Sequence, residues 1–187
     1  MAASAEDTRT KLFDASVTEF ATYGLSGARV DRITDSAGVN NALLYRYFGN
    51  KSKLFDTVFA ALATQLADAV PFTADDLPAY AGALVDYYAE HPEVVRLAAW
   101  NQLEAGDRPV PEEVRKSQQD KIARIEEAQA TGRLTATYPA EGLLTMILTL
   151  TQAATDAAAL RPERFDKVPV AEVRQMVTAA VAAILAS

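Results

Sequence analysis

The chain of 187 residues contains no cysteine. That removes disulfides, thiolate metal sites and a cysteine nucleophile, and it is compatible with a reducing cytoplasm. Histidine occurs once, at His91. It lies before a proline at an expected helix end and is read as part of that ending rather than as a metal ligand. There is no Glu-x-x-His pair of the di-iron helical type and no Gly-rich phosphate loop. An enzyme built on a helical scaffold, one of three function classes weighed, therefore finds no support. No apolar run reaches the roughly 20 residues needed to cross a bilayer, and even LLTMILTL is bounded by polar residues. The opening MAASAEDTRTK is polar and acidic, unlike a signal peptide. These absences predict a cytoplasmic protein with no cofactor and no membrane partner.

An excess of positive charge is also lacking. The net charge is −7, which argues against wholesale coating of nucleic acid but not against a local footprint. Between Arg29 and Lys53 the bases are Arg29, Arg32, Arg46, Lys51 and Lys53, against only Asp31 and Asp35. The acids lie mostly elsewhere, as in PEEVRKSQQDKIARIEEAQ. A basic island on an acidic body suits a protein that docks one face on DNA.

What is present is helix. No sustained period-two alternation occurs and alanine is abundant, so the expected fold class is all-α, with about nine helices. The first is expected from about Asp7 to Tyr23, ended by Gly24. Two short helices follow. A fourth runs from near Asn50 to about Ala69, where Pro71 stops it. Asp75 or Asp76 caps a fifth, which His91-Pro92 closes. A sixth covers Glu93 to Ala105. A seventh runs from Pro111 to Gly132, with Val114, Ile122 and Ile125 inward. An eighth spans Pro139 to Leu160 and a ninth Pro169 to Ala186. A chain of this length buries roughly 70% of its unfolded surface and needs no staples.

The most informative stretch is RVDRITDSAGVNNALLYRYFGNKSK, Arg29 to Lys53. Val30, Ile33 and Ala37 share a face of one short helix. Gly38 breaks it, because glycine enters the left-handed region without a Cβ penalty. Val39 plugs the corner, and Asn40 or Asn41 caps the next helix. Leu44 and Phe48 take its inward positions. Two helices about a Gly-centred turn, the second presenting amides, Tyr and Arg outward, are laid out as a helix-turn-helix reader of DNA.

YGLSGARVDRITDSAGVNNALLYRYFGNKSKLF, preceded by LFDASVTEF, resembles the DNA-binding region of the tetracycline-repressor (TetR) family of bacterial regulators. The likeness covers about Thr10 to Phe59. Over the rest of the chain it is one of helix number, order and length. The resemblance implies a homodimeric, ligand-responsive transcriptional regulator, usually a repressor. It maps the recognition helix onto Asn41–Phe48, phosphate-contacting aromatics onto Tyr45 and Tyr47, and a phosphate-binding lysine onto Lys51. Arg29 stands where the family usually has Thr, and Leu43 where a small or hydroxyl residue is common.

The chemistry of these positions agrees with that reading. Asn41 can read adenine with its amide, and Arg46 can pair with guanine or with phosphate. Ala42 and Leu43 can touch a thymine methyl, and the tyrosine hydroxyls and Lys51 can meet phosphate oxygens. Arg29, Asn40, Asn41, Ala42, Leu43, Tyr45, Arg46, Tyr47 and Lys51 are thus the candidate contacts to double-stranded operator DNA. The domain expectation is a helix-turn-helix unit over 1–49, a linking helix over 50–70, and a ligand-binding and dimerisation bundle over 71–187.

The last two helices are apolar on nearly all sides, which predicts a homodimer through them. Leu144, Ile147, Leu148 and Thr151 on the eighth helix, and Val173, Val177, Val181 and Ile184 on the ninth, are its expected interface. Pairing would set two recognition helices about 34–36 Å apart, one turn of duplex. Phe59, Leu66, Tyr87, Tyr88, Trp100, Leu103 and Met146, with Asn101, Glu104 and Gln152 as orienting groups, are the expected lining for a small, largely apolar effector. Such a ligand would shift the fourth helix and so change the separation of the reading heads. The third class, a helical interaction or ligand-binding protein of the same ancestry without sequence-specific DNA binding, is the alternative that salt-dependent duplex binding separates from the first.

Overall fold

The structure is a computed structural model, which describes residues 5–104, 106, 108–152, 155 and 168–186. The described residues form nine helices and no strand: α1 (Ala5–Gly27), α2 (Val30–Ala37), α3 (Asn41–Phe48), α4 (Lys51–Ala69), α5 (Leu77–Glu90), α6 (Pro92–Glu104), α7 (Glu112–Ala130), α8 (Ala140–Gln152) and α9 (Val170–Leu185). The expected continuation of α8 toward Leu160 lies outside the described residues. No helix among them is long and apolar enough to cross a membrane.

Local chemistry accounts for most boundaries. Asn40 caps α3, its side chain accepting from Leu43 N at 3.0 Å; Asn50 caps α4 through Lys53 N, and Asp76 caps α5 through Ala79 N. Pro78 sits in the first turn of α5, where its missing N–H costs nothing. One boundary differs from expectation. Gly24 breaks the backbone of α1 at φ 67°, ψ −174°, yet a further turn follows it to Gly27. The restart has a cap from far along the chain: the Glu104 carboxylate, at the end of α6, accepts from Leu25 N at 2.6 Å and Ser26 N at 3.2 Å.

A single hydrophobic core runs through the molecule. Leu12, Phe20, Ile33, Leu44, Leu54 and Phe55 join α1–α4 into the N-terminal head. Leu84, Leu97, Ile125, Leu143 and Ile147 continue it through the bundle. α1 packs on α2, α4 and α6, while α7 lies across α4 and α8. α5 and α9 pair closely at Gly82: a Cβ there would stand 2.9 Å from Thr178 Oγ1 and 3.2 Å from Arg174 Nε. Arg174 also pairs with Asp86 across the same contact, at 3.0 Å.

That pairing bears on the expected dimer face. Val173, Val177 and Val181 are buried within the single chain, where α9 packs on α5, and so are Leu144, Ile147 and Thr151 on α8. A side chain already sealed by its own subunit has no surface to offer a second one. Leu148 and Ile184 are half-buried against the same core. The large apolar side chains left open on α9 are Met176, beside the buried stripe, and Val170 at the helix start.

Candidate nucleic-acid interface and interior cavity

α2 ends at Gly38 (φ 69°, ψ 34°), whose N–H bonds Asp35 O while Val39 N bonds Thr34 O. A Cβ at Gly38 would meet nothing within 4 Å, so the demand for glycine there is one of backbone angle alone. From this turn α3 enters the core by Leu44 and Phe48, both buried. Its opposite face presents Asn41, Ala42, Tyr45 and Arg46 to solvent, with Asn40 and Arg29 exposed beside it. Leu43 and Tyr47 are half-buried, and Tyr47 packs against the core with its ring 6.3 Å from that of Phe48.

Several of these groups have partners that the linear pattern does not reveal. The Asn41 amide is held at both ends by α2: its oxygen accepts from Thr34 Oγ1 at 2.5 Å, and its nitrogen donates to Asp31 Oδ1 at 2.8 Å. Reading adenine would require both bonds to open. The Asn40 side-chain oxygen is the cap of α3, a structural role. Lys51 Nζ donates to Ala28 O at 3.0 Å and to Ser26 O at 3.4 Å, so its ammonium meets the carbonyls at the end of α1. A lysine has three donors, and the third remains for a phosphate. Lys51→Ala is therefore expected to weaken duplex binding and also to lower the melting temperature by roughly 1–4 °C, which calorimetry would read.

Arg32, counted in the basic island, is held against α1. Its Nη2 lies 2.6 Å from Glu19 Oε1, it donates to Gly27 O, and its guanidinium stacks 4.2 Å over the Tyr23 ring. The bond from Glu19 raises the Arg32 pKa further. Glu19, a buried carboxylate that also accepts from Arg29 N at 2.8 Å, fixes the start of α2 on α1. No motif in the sequence singled it out. Arg29, Arg46 and Lys53 are the outward cations, and none of the three makes an ion pair among the described residues.

Behind the head, α4–α8 enclose a cavity of about 140 Å³. Phe59, Leu66, Tyr88 and Gln152 line it as the sequence led us to expect, together with Leu62, Tyr80, Val94, Val95, Ala98, Val114, Ser117, Gln118, Lys121 and Leu148. Burial pushes the Tyr80 phenol up to about 12 and the Tyr88 phenol higher still, so both stay protonated. Val114, Lys121 and Ile125 share one stripe of α7. A polar residue interrupting an inward stripe is the signal that would have pointed to Lys121.

The other expected lining residues lie elsewhere. Trp100 and Glu104 form the junction between bundle and head. Trp100 Nε1 donates to Ala21 O at 3.3 Å, and its ring lies against Gly24, where a Cβ would be 2.7 Å from Cε3. Asn101 accepts from Arg108 Nη2 at 2.7 Å. Arg108 in turn pairs with Asp56 at 3.2 Å and stacks 4.6 Å over Phe55. Burial raises the Asp56 carboxyl, partly offset by the Arg108 charge. Leu103 is 76% exposed. Tyr87 stacks on His91 with ring centres 4.4 Å apart, and Met146 packs half-buried on the core outside the cavity. The physical reason is common to all six: helical period places a side chain on a face, but which neighbour meets that face is set by how the helices cross. His91 ends α5 and contacts Glu93 at 3.3 Å.

Two helices thus connect cavity and head. α4 carries Phe59, Leu62 and Leu66 on the cavity wall and Lys51 at the end of α1. α6 carries Val94, Val95 and Ala98 on the wall, and Trp100 and Glu104 on the restarted turn of α1. The second arm was not anticipated.

Comparison with known proteins agrees with both halves. Residues 12–58 match the model described as bacterial regulatory proteins, tetR family, and residues 76–182 match a tetracyclin repressor-like C-terminal domain. SCO4008, an HTH-type transcriptional repressor of Streptomyces coelicolor, is 37% identical over 147 residues, 78% of this chain and 77% of that protein. NicS, an HTH-type transcriptional repressor of Pseudomonas putida, is 35% identical over 117 residues, 56% of this chain and 53% of its own. Among solved structures, SCO4942 of Streptomyces coelicolor superposes with a TM-score of 0.79 at 29% identity, covering 95% of this chain and 97% of its own. FadR of Bacillus subtilis, solved in complex with stearoyl-CoA, shares the fold at a TM-score of 0.71 and 15% identity, over 92% and 97% of the two chains.

Proposed function

Because the chain belongs to the tetR family of bacterial regulatory proteins, whose members are ligand-responsive transcriptional regulators, we propose a division of labour among its parts. Residues 1–49 read DNA, the helix over 50–70 links, and 71–187 bind the effector and pair two subunits. The exposed face of α3 reads the major groove of a palindromic operator through Ala42 and Arg46, with Leu43 at its edge and Arg29, Tyr45, Lys51, Lys53 and the Tyr47 hydroxyl on the flanking phosphates. Asn40 and Asn41 hold the turn, and Asn41 reaches a base only if it leaves Asp31 and Thr34. The observation that carries this reading is the clean division of α3, with Leu44 and Phe48 sealed and Tyr45 and Arg46 in solvent.

Two subunits pair through the open faces of α8 and α9. Met176, Ala179 and Ala183 on α9 support this, being exposed at helical spacing on a face of small residues that permits close approach. An effector in the cavity acts as a population shift. It favours one arrangement of α4 and α6, and both arms carry the change to the head. Effector and operator then oppose one another reciprocally, and the protein acts as a repressor released by its ligand.

The test is duplex binding as a function of salt, using the DNA that flanks the coding gene. Arg29, Lys51 and Lys53 on phosphates in each subunit, doubled in a dimer, predict a log–log slope of about −5. Binding that is absent or insensitive to salt would instead favour a helical interaction or ligand-binding protein without sequence-specific DNA recognition.

A further inference from the structure

The cavity carries one feature that an apolar effector does not explain. Phe59, Leu62, Leu66, Tyr80 and Tyr88 form an apolar and aromatic wall, and Lys121 of α7 stands on that wall as its only cation among the described residues. The ammonium has one partner among the described residues, Ser117 Oγ at 3.1 Å, a neutral hydroxyl one turn back on the same helix. No carboxylate of the described residues lies within ion-pair distance of it. Burial lowers its pKa, with no opposing charge to hold it up.

Lys121 also lines a second, more open cleft between α4 and α7, whose rim includes Lys116 and Arg124 against Glu113 and Asp120. The lysine therefore stands at the threshold between solvent and cavity. Lys116 and Arg124 offset the two carboxylates of the rim, so the charge of Lys121 is the one left over for an anion. A desolvated cation without a counter-charge gains most from a ligand that supplies one, because a pair in a low-dielectric site interacts more strongly than in water. The inner space suits a small body beside that charge: about 140 Å³ is close to the volume that holds a benzene ring.

We propose that the cavity takes a compact apolar monocarboxylate, its ring or branched body among Phe59, Tyr80 and Tyr88 and its carboxylate on Lys121 Nζ. This rests on the cavity being the effector site, and it adds the ligand's charge and size to that reading. A protonated Tyr80 or Tyr88 phenol is available to donate to the second carboxylate oxygen.

The experiment is calorimetric titration of the full chain without DNA, using benzoate and its neutral counterpart benzyl alcohol. Benzoate is expected to bind roughly 10- to 100-fold more tightly, the span of a charge-assisted bond. Lys121→Met, which keeps the length and fills the same space, is expected to abolish that preference, bringing benzoate down to the affinity of benzyl alcohol or below. Equal affinity for acid and alcohol in the native chain overturns the proposal without recourse to any variant. So does benzoate binding unaltered by Lys121→Met, or the binding of neither probe. Operator retention is measured separately: Lys121-dependent benzoate binding that leaves the operator bound upholds the ligand class and removes its role as effector. Failure of salt-dependent duplex binding falls on the regulatory reading alone.

Discussion

Gly24→Ala is expected to lower the melting temperature by about 5–15 °C, the largest stability loss expected at any of the glycines. Two effects add. The backbone at φ 67°, ψ −174° lies in a region open almost solely to glycine, and a Cβ there costs about 1–3 kcal/mol. The added carbon would also stand 2.7 Å and 2.8 Å from Trp100 ring atoms and 2.9 Å from Glu104 Oε2. Trp100 cannot easily retreat, because its indole N–H is bonded to Ala21 O. Overpacking of this kind costs a further 1–3 kcal/mol, roughly. Gly38→Ala is the control: its φ is also positive, at 69°, but the space around it is open, so only about 1 kcal/mol is lost. Scanning calorimetry of the two variants separates backbone angle from close approach. Equal shifts would show that the Trp100 contact does not hold the junction. Since that junction couples α6 to the head, Gly24→Ala should also weaken operator binding.

The second large effect is on recognition alone. Arg46→Glu should lower operator affinity by about 100-fold or more at moderate salt, since one base or phosphate contact is lost and a repulsion gained in each half-site. The salt dependence should become shallower as well. Stability should stay within about 2 °C, because Arg46 is exposed and makes no ion pair among the described residues. The contrast with Lys51→Ala is the point of the measurement. Lys51 touches Ser26 O and Ala28 O, so its removal disturbs the head as well as any phosphate contact. If Arg46→Glu binds operator as the native chain does, α3 does not face the duplex by its Tyr45–Arg46 side.

The same contrast shows how far the linear code reached. Helix content, the Gly38 turn, the start of α4 near Asn50, a cap at Asp75 or Asp76 and the inward pair Leu44 and Phe48 follow from neighbours within about four positions, where backbone angle, capping and helical period act. For that reason the division of α3 into a sealed and an open face was legible before any coordinate. Four of the expected cavity residues, Phe59, Leu66, Tyr88 and Gln152, were legible too, since they sit on long periodic helices whose inward face had little choice of side.

What remained was partner choice. Val173, Val177 and Val181 formed a valid apolar stripe, but only the crossing of α9 on α5 made it the subunit's own core. Glu104 and Leu25 are 79 positions apart, and nothing in either neighbourhood announces a carboxylate capping a distant turn. Asn41, Arg32 and Lys51 have the residue types of DNA contacts. Folding brings Asp31, Glu19 and the α1 carbonyls within hydrogen-bond reach of them first. Which helices form, and which side of each is apolar, was already present in the order of residues, because both depend on local geometry. Which polar groups are satisfied and which still seek a partner emerged only on folding, because a hydrogen bond or a buried charge depends on atoms a few ångströms away, whatever their distance along the chain.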